Sequence, residues 1–168
     1  MTTTPRGMRQ VMDWSAAFWA GLVAGTVFLF LNLWVIPPIP AANPWVFLRL
    51  VASIGLGDGV LAPPATFDAR VLAVALAIHS ALSLAFAFVS AIMLHRWGFF
   101  VGLIGGAVFG AMLYAINVYS LTLAFPWFFG VRGIAFFSTH VIFGAVSGAI
   151  YELLEKEEFV PVSAEVAS

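Results

Sequence analysis

Four long apolar runs alternate along the chain with short polar or proline-rich segments, and they occupy residues 14–36, 71–94, 99–121 and 134–154. Each run is long enough to cross about 30 Å of hydrocarbon as an α-helix that rises about 1.5 Å per residue. No run contains Asp, Glu, Lys or Arg before Glu152. A soluble helix of this length would carry a charged face, and a transmembrane barrel would show alternating strands of about ten residues. The pattern predicts an all-α fold, a bundle of four transmembrane helices that forms one membrane domain over residues 1–168.

The connections between the runs predict one further helix and a hairpin. The first outer connection opens with three prolines that end the first helix, namely Pro37, Pro38 and Pro40. Asn43 is a good N-cap and Pro44 suits a first helical position, so a short helix is expected there, ending at Gly55 or Gly57 and lying along the outer interface. The tight link at residues 95–98 predicts that the second and third membrane helices form an antiparallel hairpin.

Basic residues favour a cytoplasmic location for both termini. Four lie on the side of the termini (Arg6, Arg9, Arg96 and Lys156) and three lie on the opposite side (Arg49, Arg70 and Arg132). The first two flank the first helix, which often dominates the orientation, and the acidic tail at residues 155–168 counts little in this rule. The 23 apolar residues of the first run exceed the roughly 7–15 of a signal peptide core, so we expect a retained helix.

Composition agrees with a membrane protein and removes several kinds of chemistry. Hydrophobic residues make up 62% of the 168 residues and charged residues only 9%, far from the balance of soluble domains. Seven basic residues nearly cancel eight acidic ones, so a nucleic-acid partner is not expected. The chain contains no cysteine, which excludes disulfides, thiolate metal sites and cysteine nucleophiles.

Two pairs of segments suggest an internal repeat. The eight residues from Gly21 match those from Gly102 at five positions. An arginine also precedes a histidine by eight or nine residues at the outer ends of the second and fourth runs, as Arg70 and His79 and as Arg132 and His140. A parallel duplication of a two-helix unit would produce both similarities. Chance similarity between apolar helices is the alternative.

Glycines recur every fourth residue on one face of three helices, which lets helix backbones approach closely. They are Gly21 and Gly25, then Gly102, Gly106 and Gly110, then Gly144 and Gly148. Such faces serve either packing within the bundle, which we favour, or assembly with another subunit.

Four polar side chains lie within about two and a half turns of the outer helix ends, one on each helix: Asn32, His79, Asn117 and His140. One interpretation is a pocket for a small polar ligand, and the other, which we favour, is interhelical hydrogen bonding. The two histidines could instead hold one haem axially. No acidic residue accompanies them, so neither a hydrolytic metal site nor a catalytic relay is indicated. Arg132 could contact an anionic headgroup or ligand, although a snorkelling arginine is the simpler explanation.

Several short motifs together resemble a known group. They are residues 63–68 (PPATFD), His79 with Leu82 and Ser83, residues 114–119 (YAINVY), residues 125–128 (FPWF), Arg132, and residues 140–144 (HVIFG). The chain resembles small bacterial four-helix membrane proteins that often carry the label "sodium:proline symporter", and more loosely YagU-like inner-membrane proteins. The resemblance implies a four-helix topology and a bacterial cytoplasmic membrane, and it carries no mechanism.

The sequence therefore predicts a non-enzymatic multi-pass protein without a cofactor. Its partners are expected to be the lipid bilayer and either other membrane subunits or further copies of itself, so an accessory subunit or a homo-oligomer is the favoured function. The alternatives are a transporter or binder of a small solute at the outer polar site, and an electron carrier with a bis-histidine haem.

Overall fold

The computed structural model describes residues 8–36 and 43–161. The predicted stop at Pro37, Pro38 and Pro40, the basic residue Arg6 and the end of the acidic tail lie outside these residues.

The four predicted membrane helices are confirmed, with ends within two residues of those expected. Each is long and apolar enough to cross a membrane, and they span Trp14–Val35, Ala69–Leu94, Phe99–Leu123 and Ile134–Leu154. We label their α-helical parts α1 (Trp14–Phe30), α3 (Ala69–Leu94), α4 (Phe99–Ala115) and α5 (Ile134–Leu154). The chain is thus a helical bundle.

We call the side of the bundle that holds residues 8 and 161 the inner side and the opposite side the outer side, whichever compartment each one faces. Two of these helices change geometry at their outer ends. After α1 the chain continues as a π-helix at Leu31–Val35, and after α4 it does so at Ile116–Ser120. Asn32 and Asn117 are the second residues of these two segments. Short π-helical turns inside α-helices are frequent at functional sites. A functional site is therefore expected in the outer half of the bundle.

The predicted short helix is confirmed as α2, Pro44–Leu56. The Asn43 side chain accepts hydrogen bonds from the backbone N–H groups of Trp45 and Val46, and the chain leaves the helix at Gly57, whose φ of +82° suits glycine. One face of α2 is buried, and it packs against the outer ends of the membrane helices in a shared apolar cluster. The helix therefore covers the outer end of the bundle.

α5 is the central helix of the bundle. It packs closely against α4 on one side and against α1 on another, and α1 packs in turn against α3. Direct contact between α3 and α4 is slight, although a tight link joins these two helices. A gap between them is lined by residues of both helices.

The glycine faces are used inside the chain. A Cβ atom on Gly102 or Gly106 would overlap with the backbone of Gly148 or Gly144 across the contact between α4 and α5. Gly110 faces the backbone of α5 one turn further along. These three glycines therefore set how closely the two helices approach.

The contact between α1 and α3 has the same register as the contact between α4 and α5. Gly21 faces Ala87 and Gly25 faces Ser83 across the contact between α1 and α3. Gly102 and Gly106 lie 81 positions after these two glycines, and their partners on α5 lie 61 positions after Ala87 and Ser83. His140 likewise lies 61 positions after His79. A shared register favours duplication of a two-helix unit over chance similarity.

Two short strands join the chain ends, and the sequence did not predict them. β1 (Met8–Val11) pairs antiparallel with β2 (Glu158–Pro161). Four residues per strand give too short a pattern to recognise in the sequence. The pairing places the segments before the first and after the fourth membrane helix side by side, as an even number of crossings requires.

Candidate functional site

A cavity of about 300 Å³ lies in the gap between α3 and α4, beneath α2. Its wall is mostly aromatic and aliphatic, and every membrane helix contributes to it, with further residues from α2 and from the connection between α4 and α5. The aromatic part of the wall consists of Phe28, Phe47, Phe86, Phe125, Phe128, Phe136 and Phe143. His79, Ser83, Asn117 and His140 are its polar members. Such a lining suits an apolar body with a few placed polar contacts.

The cavity opens on the side of the bundle. Leu82 of α3 and Leu121, just beyond α4, both belong to its wall and are 38% and 42% exposed. Both lie in helices of membrane-spanning length and composition. In a bilayer the opening would therefore face lipid chains.

His140 is buried and held by two hydrogen bonds. Its Nδ1 lies 2.8 Å from the carbonyl oxygen of Phe136, and its Nε2 lies 3.1 Å from Nδ2 of Asn117. Because a carbonyl oxygen only accepts, Nδ1 carries the proton, and Nε2 of the neutral ring accepts from the Asn117 amide. The other end of that amide, Oδ1, is enclosed and has no hydrogen-bond partner among the described residues.

His79 is held in the opposite tautomer, with the proton on Nε2. Its Nε2 lies 2.9 Å from the carbonyl oxygen of Gly25, which again can only accept. The hydroxyl of Ser83 lies 3.5 Å from the same nitrogen. Since Nε2 donates to the carbonyl, it cannot also take a proton from the serine. The pair therefore does not form a nucleophile and its general base.

Phe28 contacts both imidazoles. Its ring stacks on His79 at 5.9 Å between centroids and meets His140 edge-on at 5.0 Å. A bis-histidine haem needs both Nε2 atoms free and directed at one iron. Here both are engaged in hydrogen bonds to different helices, so these residues do not fit the haem.

The predicted polar cluster is brought together only in part. His79, Asn117 and His140 share the cavity wall, whereas Asn32 is buried beside it and lies outside that wall. The Asn32 amide donates to the carbonyl oxygen of Phe28 at 2.8 Å, and its Oδ1 lies 3.4 Å from the hydroxyl of Thr139. The Thr139 hydroxyl also donates to the carbonyl oxygen of Phe136, at 3.0 Å, so Asn32 meets α5 through a shared and longer contact.

The outer arginines also lie outside the cavity. Arg132 is exposed, with its guanidinium 3.9 Å from the centroid of the Phe129 ring. Arg49 instead donates to the carbonyl oxygens of Val60 and Thr66, at 2.8 and 3.2 Å. In the sequence analysis Arg49 is only one of the basic residues counted for the orientation. In the structure it holds the loop after α2.

A buried hydrogen bond ties α2 to the rest of the outer surface. Nε1 of Trp127 donates to the Ser53 hydroxyl at 2.8 Å, and that hydroxyl donates to the carbonyl oxygen of Leu50 at 2.6 Å. In the sequence, Trp127 is singled out only as part of the FPWF motif at residues 125–128. Its partner lies 74 residues away, so no local pattern could have indicated it.

The titratable groups outside the spans whose pKa is shifted lie at the inner end of the bundle. Hydrogen bonds from backbone N–H groups, foremost that of Ala16, hold the pKa of Asp13 below its usual 3.8. Burial raises the pKa of Glu155 above its usual 4.5, against the opposing effect of a hydrogen bond from Tyr151. No group of three metal-ligating side chains occurs among residues 8–36 and 43–161.

No protein-family model matches the chain, and neither curated proteins nor solved structures give a significant match. The resemblance drawn from the motifs stays a prediction.

Proposed function

We propose that this chain is a non-enzymatic binding protein of a bacterial cytoplasmic membrane, with both termini cytoplasmic. It takes up a small apolar molecule sideways from the bilayer. The observation that carries the proposal is the cavity between α3 and α4, which is lined mainly by apolar side chains and opens beside Leu82 and Leu121. Its size falls at the lower end of the range of small-molecule sites.

The polar-solute alternative receives less support from this lining. Burying a polar group without hydrogen-bond partners costs roughly 1–3 kcal/mol per group in proteins. A solute with several such groups would find partners only at the few polar members of the wall. The binding hypothesis therefore shifts from a polar ligand to a mainly apolar one.

The assembly hypothesis receives no support from the glycine faces. As the sequence analysis favoured, these glycines pack within the chain, between α1 and α3 and between α4 and α5. Assembly with other membrane subunits or with further copies stays a prediction, and the cavity provides the stronger functional argument.

Photolabelling of the full chain in lipid nanodiscs tests the proposal. The probe is a small apolar aryl diazirine, which inserts into neighbouring bonds when it is illuminated. We expect saturable labelling of the cavity wall, mapped by mass spectrometry to peptides that include residues 113–121. A Leu82→Trp variant should reduce this labelling several-fold, because the larger ring would obstruct the opening.

Ile104→Trp is the matched control. Ile104 is 63% exposed on α4 and does not line the cavity, so the same substitution there should leave labelling unchanged. Non-saturable labelling spread evenly over the exposed helix surfaces, and unaffected by Leu82→Trp, would refute the proposed function.

A further inference from the structure

We infer that the molecule held in the cavity is a neutral alcohol, with a hydrocarbon body among the aromatic side chains and a hydroxyl that donates to Oδ1 of Asn117. This inference rests on the proposed function and adds the chemical class of the ligand. Long-chain alcohols, isoprenoid alcohols and acylglycerols share this chemistry.

Asn117 supplies the first argument. Its Nδ2 is directed to His140, whose tautomer is fixed by the Phe136 carbonyl, so the amide cannot be reversed without placing two acceptors or two donors together. Oδ1 is consequently an acceptor, and it is enclosed without a partner. An unpaired buried acceptor is costly, and a ligand hydroxyl would remove that cost. Oδ1 is enclosed by the surrounding side chains, so binding includes a side-chain movement of the wall, which is common in complexes.

The two imidazoles of the wall have no proton to offer a ligand, so the Ser83 hydroxyl is the remaining donor there. The His79 proton is directed to Gly25, and the His140 proton to Phe136. Nδ1 of His79 has no hydrogen-bond partner among the described residues, and on this tautomer it is an acceptor. A ligand with acceptors only, such as an ether, an ester or a ketone, would therefore leave these atoms unpaired.

Charge supplies the second argument. The wall includes no Asp, Glu, Lys or Arg. A carboxylate or phosphate placed there would lose its hydration without gaining a cation, which is strongly unfavourable in an apolar site. A neutral hydroxyl meets both requirements, because it donates a hydrogen bond and carries no charge.

Competition against the photoprobe tests the inference on the unmodified chain. Hexadecanol, hexadecyl methyl ether and hexadecanoate are each titrated into nanodiscs over the same range of mole fractions in the bilayer. We expect hexadecanol to halve cavity labelling at about a tenth of the mole fraction that the ether requires. Hexadecanoate should compete no better than the ether.

Two variants then locate the acceptor. Asn117→Leu should remove the tenfold preference for the alcohol while photolabelling persists. Asn32→Leu, which changes the matching residue of the other π-helix, should keep this preference.

Equal competition by alcohol and ether would overturn the inference and leave the cavity as a binding site. A preference retained in Asn117→Leu would overturn the role of Asn117. Absence of saturable labelling would instead refute the proposed function. If Asn117→Leu fails to fold, the comparison on the unmodified chain still decides the ligand class.

Discussion

Gly106 lies in the contact between α4 and α5, where a Cβ atom would overlap with the carbonyl oxygen of Gly144. Gly106→Ala must push two backbones apart, so we expect a loss of about 2–3 kcal/mol in the free energy of unfolding. Unfolding in mixed detergent micelles measures this loss. Gly105→Ala is the control on the same helix, since its Cβ would meet only the flexible end of Leu94. Equal stability of the two variants would contradict the glycine contact.

Depth could be read from the sequence, whereas direction around the helix axis could not. Residue counts from the helix ends placed Asn32, His79, Asn117 and His140 at similar depth, and three of them share the cavity wall. Asn32 does not, because its side chain faces Thr139 on α5. Asn117 occupies the same position of the other π-helical turn and does line the wall, so a residue count from the helix end gives the depth of a side chain but not its direction.

At the scale of elements, α2 was predicted in full because its signals are local. The Asn43 cap, Pro44 and Gly57 act within a few residues of each other. Its attachment to the bundle depends on Ser53 and Trp127, which meet only after the helices have packed. The two terminal strands depend in the same way on the packed bundle, which brings their short segments together.

The bond between Trp127 and Ser53 should control how readily α2 separates from the bundle. Trp127→Phe keeps most of the ring and removes the donor, at a cost of about 1 kcal/mol. We expect amide hydrogen exchange in Pro44–Leu56 to rise about fivefold, with exchange in α5 unchanged. Trp34→Phe is the control, because Trp34 is 63% exposed and has no comparable bond in the described part of the chain. Similar exchange in both variants would argue against the attachment.

The inner end should respond to acid in two opposite steps. Glu155 accepts hydrogen bonds from Gln10 and Tyr151, and burial raises its pKa above 4.5. The folded state therefore binds a proton more tightly than the unfolded chain, so lowering the pH from neutral toward 4.5 stabilises the folded inner end. Hydrogen exchange of β1 and β2, corrected for the intrinsic pH dependence, should show rising protection over this range. Glu155→Gln should abolish the rise.

Asp13 acts in the other direction at lower pH. Its pKa lies below 3.8 in the folded protein, so its contribution is complete above 3.8 and is lost as the pH falls through the folded pKa. Protection of β1 and β2 should therefore decline again below about pH 4. Asp13→Asn keeps a capping oxygen but no longer titrates, and it should remove this decline. A monotonic loss of protection from neutral pH downward would contradict the assigned role of Glu155.

At the scale of the whole molecule, the direction of insertion rests on four basic residues on the side of the termini against three on the opposite side. Arg49 is one of these three, and it is weaker evidence for orientation because it also has a structural role. Its guanidinium holds two loop carbonyl groups, so its position has a cause besides topology. The pairing of β1 with β2 supports one side for both ends, and it does not identify that side. An experiment on orientation is therefore informative beyond the fold.

Cysteine labelling resolves the orientation, because the natural chain contains no cysteine and gives no background. Asp58→Cys and Glu158→Cys change exposed residues on the loop after α2 and on β2, and three membrane helices lie between them. In intact bacterial cells a membrane-impermeant maleimide should label the cysteine at position 58, and the cysteine at position 158 only after permeabilisation. The reverse pattern would place the termini outside. Labelling of both positions in intact cells would contradict three crossings between them, and with it the four-helix topology on which the lateral opening of the cavity depends.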